Sequence, residues 1–152
     1  MHEPASLIKP DRRDRQAGPR RHFADRQPCL NRHVNVTVRD PKKTASMLTK
    51  LFGWKVRWEG PAKYDGYTVH VGTDEDYIAL YALPQQDQPE QESYYRTGAV
   101  NHFGILVDDL DATERKILDA GYRTHSHQTY DPGSRFYFHD HDDIEWEVVS
   151  YA

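Results

Sequence analysis

Polar and apolar side chains alternate strictly in the stretch NRHVNVTVRD, residues 31–40. Because successive side chains of a strand point to opposite faces, His33, Asn35 and Thr37 are predicted to share one face, and the valines between them the other. The apolar face suits a protein core. The polar face could hold a ligand.

The pattern returns in the second half of the chain, which indicates an internal duplication. RHVNVTVRDP aligns with NHFGILVDDL, so that His33 and Asp40 fall on His102 and Asp109 at the same spacing of seven residues. A helical pattern of apolar residues follows each predicted strand.

Each predicted helix ends at a glycine, Gly53 or Gly121, which can close a helix in the left-handed conformation without steric cost. Strand-like segments rich in aromatic and β-branched residues follow: YTVHVG and YIALYAL in the first half, RFYFHD and IEWEVVSY in the second. Each half therefore predicts a strand, a helix and two or three further strands. Two such units would pair their sheets and curl around a shared cavity.

The duplication defines the predicted domain organisation. Residues 1–29 are rich in Arg, Pro and Asp without an apolar period, and are predicted to be a disordered basic tail. Residues 30–152 are predicted to form one domain. It consists of module one (30–83), a polar connector (84–98) and module two (99–152).

Composition restricts the partners of this domain. The net charge of the 152 residues is −4, and the chain beyond the basic tail is acidic, which argues against a nucleic-acid-binding surface. No run of about 18 apolar residues predicts a membrane span, and no secretory signal is evident, so the cytoplasm is the expected compartment. The single cysteine, Cys29, cannot form an internal disulfide. We expect a small-molecule substrate as the partner.

Equivalent positions of the two halves indicate a metal site. His33 and His102 open the first strand of each half, and Glu147 and Ala79 are equivalent positions near the end of each half. Two imidazoles and one carboxylate leave coordination positions open for substrate, as in catalytic metal sites. We therefore predict His33, His102 and Glu147 as ligands of a divalent metal ion.

Over residues 31–151 the chain resembles the vicinal oxygen chelate proteins. The resemblance is carried by RHVNVTVRDPKKTASMLTKLFGWKV in the first half, and by NHFGILVDDLDATERKILDAGY and RFYFHDHDDIEWEVVSY in the second. The vicinal oxygen chelate proteins include glyoxalase I, fosfomycin-resistance thiol transferases and extradiol dioxygenases. The resemblance implies an α+β, glyoxalase-like fold of two paired βαβββ modules that form a curled mixed sheet around a cleft. It also implies that His33, His102 and Glu147 bind the metal. Glyoxalase I usually carries a glutamate at the position of Ala79, which argues against that activity here.

Further residues are candidates for the chemistry of the cleft. Tyr137 falls where fosfomycin-resistance enzymes have a tyrosine touching substrate, and Tyr137 and His127 are the candidate catalytic acid–base residues. Side chains able to stack on a substrate, hydrogen-bond it or pair with its charge are the candidates for substrate binding. They are Asn35, Tyr77, Tyr81 and Arg135.

The function implied is that of a metal-dependent enzyme that chelates a small substrate through two adjacent oxygens. It would be a dioxygenase, or a lyase or thiol transferase, with Fe, Mn, Ni or Zn as the ion. The alternative is a metal-free protein of the bleomycin-resistance type that sequesters its ligand. A homodimer is possible, since modules in this superfamily pair within a chain or are exchanged between chains.

Overall fold

The two halves of the chain form two α+β modules of the same design, each with one helix and a four-stranded sheet. A computed structural model describes residues 33–86 and 93–152, so the predicted tail and Cys29 lie outside the described residues. Module one comprises β1 (His33–Thr37), α1 (Pro41–Phe52), β2 (Lys55–Pro61), β3 (Tyr67–Gly72) and β4 (Tyr77–Ala82). Module two comprises β5 (His102–Leu106), α2 (Leu110–Asp119), β6 (Thr124–Tyr130), β7 (Gly133–His139) and β8 (Glu145–Ser150).

Both sheets have the same mixed topology. The strand order is β1-β4-β3-β2 in module one and β5-β8-β7-β6 in module two. The first strand of each module pairs in parallel with the last, and the other pairs are antiparallel. The predicted α+β class and the βαβββ order of each module are confirmed.

The aspartates that recur in the duplication are the N-caps of the two helices. The Asp40 carboxylate accepts hydrogen bonds from the backbone N–H groups of Lys42 and Lys43, and the Asp109 carboxylate accepts one from Ala112. These bonds satisfy N–H groups that have no partner within the helix. The seven-residue spacing from histidine to aspartate, equal in both modules, is therefore the distance along the chain from the first residue of the strand to the N-cap of the helix.

Each helix covers one face of its own sheet, and the helices also contact each other. The apolar faces of both sheets contribute to one hydrophobic cluster, which includes the fully buried Leu48, Ile117, Phe138 and Trp146. Phe52 of α1 contacts the ring of Phe138 at 6.4 Å between centroids, which joins the modules. Among the described residues, no helix is long and apolar enough to cross a membrane.

The opposite face of each sheet is polar and points away from this core. In β1, His33, Asn35 and Thr37 are exposed, as their alternation predicts. In β8, Glu145 and Glu147 lie on the face opposite the buried Trp146 and Val148. The polar faces are the surfaces on which a site can be built.

The acidic turn between β7 and β8 is organised by Asp140. Its carboxylate accepts hydrogen bonds from the backbone N–H of Asp142 at 2.8 Å and of Ile144 at 3.1 Å, and from the Trp146 indole at 3.0 Å. Burial raises the pKa of Asp140. Asp143 takes the left-handed conformation (φ 64°), so an aspartate serves where a glycine would be expected. The turn thus fixes the start of the strand that carries Glu147.

We expect Asp140→Ala to lower the free energy of unfolding by about 2–4 kcal/mol, because three N–H donors, one of them a buried indole, lose their acceptor. Asp140→Asn keeps one carbonyl acceptor and should cost less. Urea unfolding measures both. Asp74→Ala, at an exposed site, is the matched control and should change stability by less than about 0.5 kcal/mol. Equal costs for Asp140→Ala and Asp74→Ala would contradict this account of the turn.

Candidate metal centre

His102 and Glu147 face each other on the polar face of module two. His102 begins β5 and Glu147 lies in the adjacent β8, where it is also the cross-strand partner of Tyr137 in β7. His102 Nε2 is 3.3 Å from Glu147 Oε2. The structure therefore brings together two of the three predicted ligands.

Tyr94 determines which nitrogen of His102 carries the proton. The Tyr94 hydroxyl donates to Glu145 Oε2 at 2.5 Å, and its oxygen is 3.2 Å from His102 Nδ1. The hydrogen bond to the Glu145 carboxylate raises the pKa of Tyr94 to about 12, so the phenol keeps its proton. Since that proton points to Glu145, the Tyr94 oxygen accepts from His102 Nδ1–H.

In neutral His102 this arrangement leaves an unshared electron pair on Nε2, aimed at a carboxylate oxygen. Two acceptors at 3.3 Å repel each other unless a cation, either a proton or a metal ion, lies with them. Ligands that are each about 2.0–2.2 Å from one tetrahedral zinc ion lie roughly 3.3 Å apart. A metal-binding histidine also usually donates its other N–H to an oxygen acceptor. The His102–Glu147 pair therefore fits a divalent ion.

Arg135 contacts the predicted carboxylate ligand. Its Nη1 donates to Glu147 Oε1 at 3.0 Å, and both side chains are largely buried. The guanidinium lies over the ring of Tyr130 at 4.2 Å. Its other two donor nitrogens are buried without a hydrogen-bond partner. Arg135 thus holds one oxygen of Glu147 and leaves the other oxygen directed at His102.

Tyr137 lies beside this pair, with its ring edge-on to that of His102 at 5.7 Å between centroids. Burial, followed by the negative charge of Glu147, raises the pKa of Tyr137. The phenol therefore stays protonated at neutral pH. It is suited to donating a hydrogen bond rather than to abstracting a proton.

His33, the third predicted ligand, lies on the polar face of module one. Its ring stacks on Tyr77 at 4.8 Å, and Tyr77 stacks in turn on His70 at 4.6 Å. Burial, with the positive charges of His33 and Arg57, lowers the pKa of His70. Within residues 33–86 and 93–152, the one group of three metal-ligating side chains within 4.8 Å of each other does not include His33. A single chain does not bring the three predicted ligands together.

The other candidates of module one lie around a cavity of about 390 Å³ on the same polar face. Asn35 and Tyr81 line it together with His70 and Thr68. The Tyr81 hydroxyl donates to the backbone carbonyl of Lys63 at 2.6 Å, which fixes this wall. The predicted binding residues are thus divided between the modules.

His127 is separated from the other candidates by an irregularity in β6. The pairing of β6 with β7 shifts between His125 and Gln128, and Ser126 has a positive φ of 53°. His127 is thereby turned to the helix side, where Nε2 is 2.6 Å from Glu114 and the ring stacks on the buried Phe136. Because it faces away from Tyr137, His127 has no part in the site described above.

Residues 32–148 match the family model for the Glyoxalase/Bleomycin resistance protein/Dioxygenase superfamily. The chain belongs to this superfamily. No curated protein matches it.

Solved structures share the superfamily fold at low sequence identity. A glyoxylase/bleomycin resistance protein/dioxygenase domain from Frankia sp. EAN1pec is 23% identical, with a TM-score of 0.69 over 82% of this chain and 93% of that one. The fosfomycin resistance protein FosX from Listeria monocytogenes, complexed with Mn(II) and sulfate, is 17% identical, with a TM-score of 0.63 over 82% and 93%. Another structure, of a variant of that FosX, holds Mn(II) and a dihydroxypropylphosphonic acid. At these identities the likeness establishes the fold.

Two residues of this superfamily member were missed by sequence reasoning. Tyr94 lies in the polar connector, and its only signal is the aromatic pair Tyr94–Tyr95 within a polar segment. Glu145 shares a strand face with Glu147, which alternation does predict, but its contact with Tyr94 spans 51 positions of sequence. Residue patterns within a short stretch of sequence cannot predict a contact between such distant positions.

We expect Tyr94→Phe to weaken metal binding at His102 by about 10–100-fold, because the variant removes the acceptor for His102 Nδ1–H. Competition titration with a chromogenic chelator measures the affinity. Tyr95→Phe, which removes the hydroxyl of the exposed neighbouring tyrosine, is the matched control. Equal affinities for Tyr94→Phe and Tyr95→Phe would show that the phenol does not orient the ligand.

Proposed function

We propose that the protein is a metal-dependent enzyme of the superfamily that binds a small substrate through two adjacent oxygens on a divalent ion. The ligands proposed are His33, His102 and Glu147. The observation that carries the proposal is the 3.3 Å distance between His102 Nε2 and a carboxylate oxygen of Glu147. An imidazole nitrogen and a carboxylate oxygen at this separation can bind one divalent ion together.

We propose further that His33 comes from a second copy of the chain. The polar faces of both modules point away from the shared core, and His33 is exposed at the start of its strand. A two-fold symmetric pair can place module one of each copy against module two of the other, forming two equal sites. Each site would then have two imidazoles, one carboxylate and open coordination positions.

The ion, when bound, would polarise the substrate oxygens and stabilise negative charge that develops on them. Tyr137 would donate a hydrogen bond to the substrate, since its raised pKa keeps the phenol protonated. Arg135 would hold Glu147 in place through its 3.0 Å ion pair. The partner's module one would enclose the substrate, with Tyr77 stacked on His33 and with Asn35 and Tyr81 in the cavity wall.

The reaction proposed is oxygen-dependent ring cleavage, or a lyase or thiol-transfer reaction. With Ala79 in place of a carboxylate, the ligand set has three members, and Fe, Mn, Ni and Zn are the candidate ions. The FosX structure with Mn(II) supports a divalent ion in this fold. The identity of the ion that copurifies with the protein would separate the branches.

A second candidate function is metal-free sequestration of a small molecule. Arg135 already pairs with Glu147, so the carboxylate is neutralised by the chain itself. The cavity on module one, lined by aromatic and polar side chains, could hold a ligand without a metal. This candidate becomes the leading one if the protein binds no metal at His102.

We expect single variants His33→Ala and Glu147→Ala each to lose the metal bound by the proposed ligand set, whereas a dimer containing one chain of each should regain it. In an exchanged dimer, the intact module one of one chain meets the intact module two of the other, so one of the two sites is restored. Elemental analysis should then show, for the mixed dimer, about half of the metal that the two single variants lose relative to the wild type. The two chains would carry different tags that do not bind metal, so that the mixed dimer can be purified.

His127→Gln, which removes an imidazole on the other side of module two, should retain the full metal content in the same assay. A mixed dimer without metal would show that the modules pair within one chain. Wild-type protein that binds none of the four ions would overturn the metal proposal in favour of sequestration.

A further inference from the structure

We propose that module two carries a second divalent-cation site, formed by His125, His139 and Glu145. The proposal does not depend on the function proposed above, because none of the three residues belongs to the His33, His102 and Glu147 set. Among the described residues, these form the one group of three metal-ligating side chains whose ligand atoms lie within 4.8 Å of each other. The cation would be one that prefers imidazole, such as Zn²⁺, Ni²⁺ or Cu²⁺.

Three adjacent strands position the group on the polar face. His139 at the end of β7 is the cross-strand partner of Glu145 in β8, and His125 of β6 pairs with Tyr137, two positions before His139. His125 Nε2 is 3.1 Å from His139 Nδ1, and His139 Nε2 is 3.9 Å from Glu145 Oε1. These two distances involve different nitrogens of His139. With one donor atom taken from each side chain, the three atoms lie within 4.8 Å of each other, a separation that side-chain rotation can close to that of ligands on one ion.

The surroundings of His125 favour a free electron pair on Nε2. His125 Nδ1 is 3.0 Å from the Ser126 hydroxyl, which can accept its proton in a hydrogen bond. The backbone of Ser126 is in the left-handed conformation at the irregularity of β6, and this conformation places its hydroxyl beside His125 Nδ1. Nε2 then points at His139, as in histidines that donate one N–H outward and bind metal with the other nitrogen.

A hydrogen bond between two imidazoles would also explain the stacked His125 and His139 rings, which are 5.1 Å apart. Glu145 is the third group that a metal site needs and that a bond between two imidazoles does not. Its Oε2 accepts from Tyr94, while its Oε1 faces His139 and adds a negative charge to the pair. His139 is 42% exposed, so an ion has direct access from solvent. A carboxylate and two imidazoles at an accessible edge form a ligand set with open positions.

The test is calorimetric titration of the full-length, untagged chain with ZnCl₂. The wild type, His125→Gln and His139→Gln would be compared with His127→Gln, the matched control on the same strand. We expect His125→Gln and His139→Gln each to weaken one Zn²⁺ site by at least about tenfold. His127→Gln should leave that site unchanged, because its side chain faces α2. Thermal melting would verify that each variant is folded.

The same titration on His33→Ala separates this site from the proposed catalytic centre. Replacing His125 or His139 should abolish Zn²⁺ binding at the second site, whereas replacing His33 should leave it unchanged. Imidazole ¹⁵N spectra provide an independent readout, since coordinated nitrogens of His125 and His139 should shift on addition of Zn²⁺. Unchanged Zn²⁺ affinity in both glutamine variants, or spectra in which neither ring responds, would overturn the proposal, whatever the fate of the His33, His102 and Glu147 site.

Discussion

The shared hydrophobic core determines where chemistry can take place in this protein. Each sheet turns its apolar face to the helices, and Phe52 against Phe138 joins the two modules through that side. Strand alternation then forces the polar residues of both sheets outward. The packing that stabilises one chain therefore leaves His33 apart from His102 and Glu147. A composite site follows only if a second chain brings the two polar faces together.

Within module two, a sequence of polar contacts orders the site before any ion binds. Glu145 accepts from Tyr94, the Tyr94 oxygen accepts from His102, and Arg135 holds the far oxygen of Glu147. Each contact fixes one property of a metal-binding side chain: the tautomer of the histidine, the orientation of its ring or the rotamer of the carboxylate. The conformational entropy of these side chains is therefore lost on folding rather than on metal binding. The same carboxylate, Glu145, faces His139 with its other oxygen, so the two proposed sites are physically linked.

The sequence predicted those features that depend on local periodicity. Alternation correctly assigned the faces of His33 and Glu147, and the repeated aspartates mark the helix starts. Alternation could not predict the face of His127, because the bulge at Ser126, a left-handed residue, shifts the side chains that follow it in the strand to the opposite face. The roles of Tyr94 and Arg135 depend on partners distant in sequence or across strands, which no periodic pattern encodes.

The register of the two sheets shows how the duplicated modules have diverged. In module two His102 pairs with Glu145 and Gly104 pairs with Glu147, whereas in module one the equivalent partners are Tyr77 for His33 and Ala79 for Asn35. Module one thus has the imidazole, but it has an aromatic and a small residue at the two positions where module two has carboxylates.

Two copies of module two would crowd four carboxylates around one point, and two copies of module one would supply none. A site made of one module one and one module two has the carboxylates on one side, and an imidazole with an aromatic wall on the other. Charge balance at a divalent ion therefore favours the pairing of unlike modules. This difference gives the proposed exchange of modules between chains a chemical reason that packing alone does not provide.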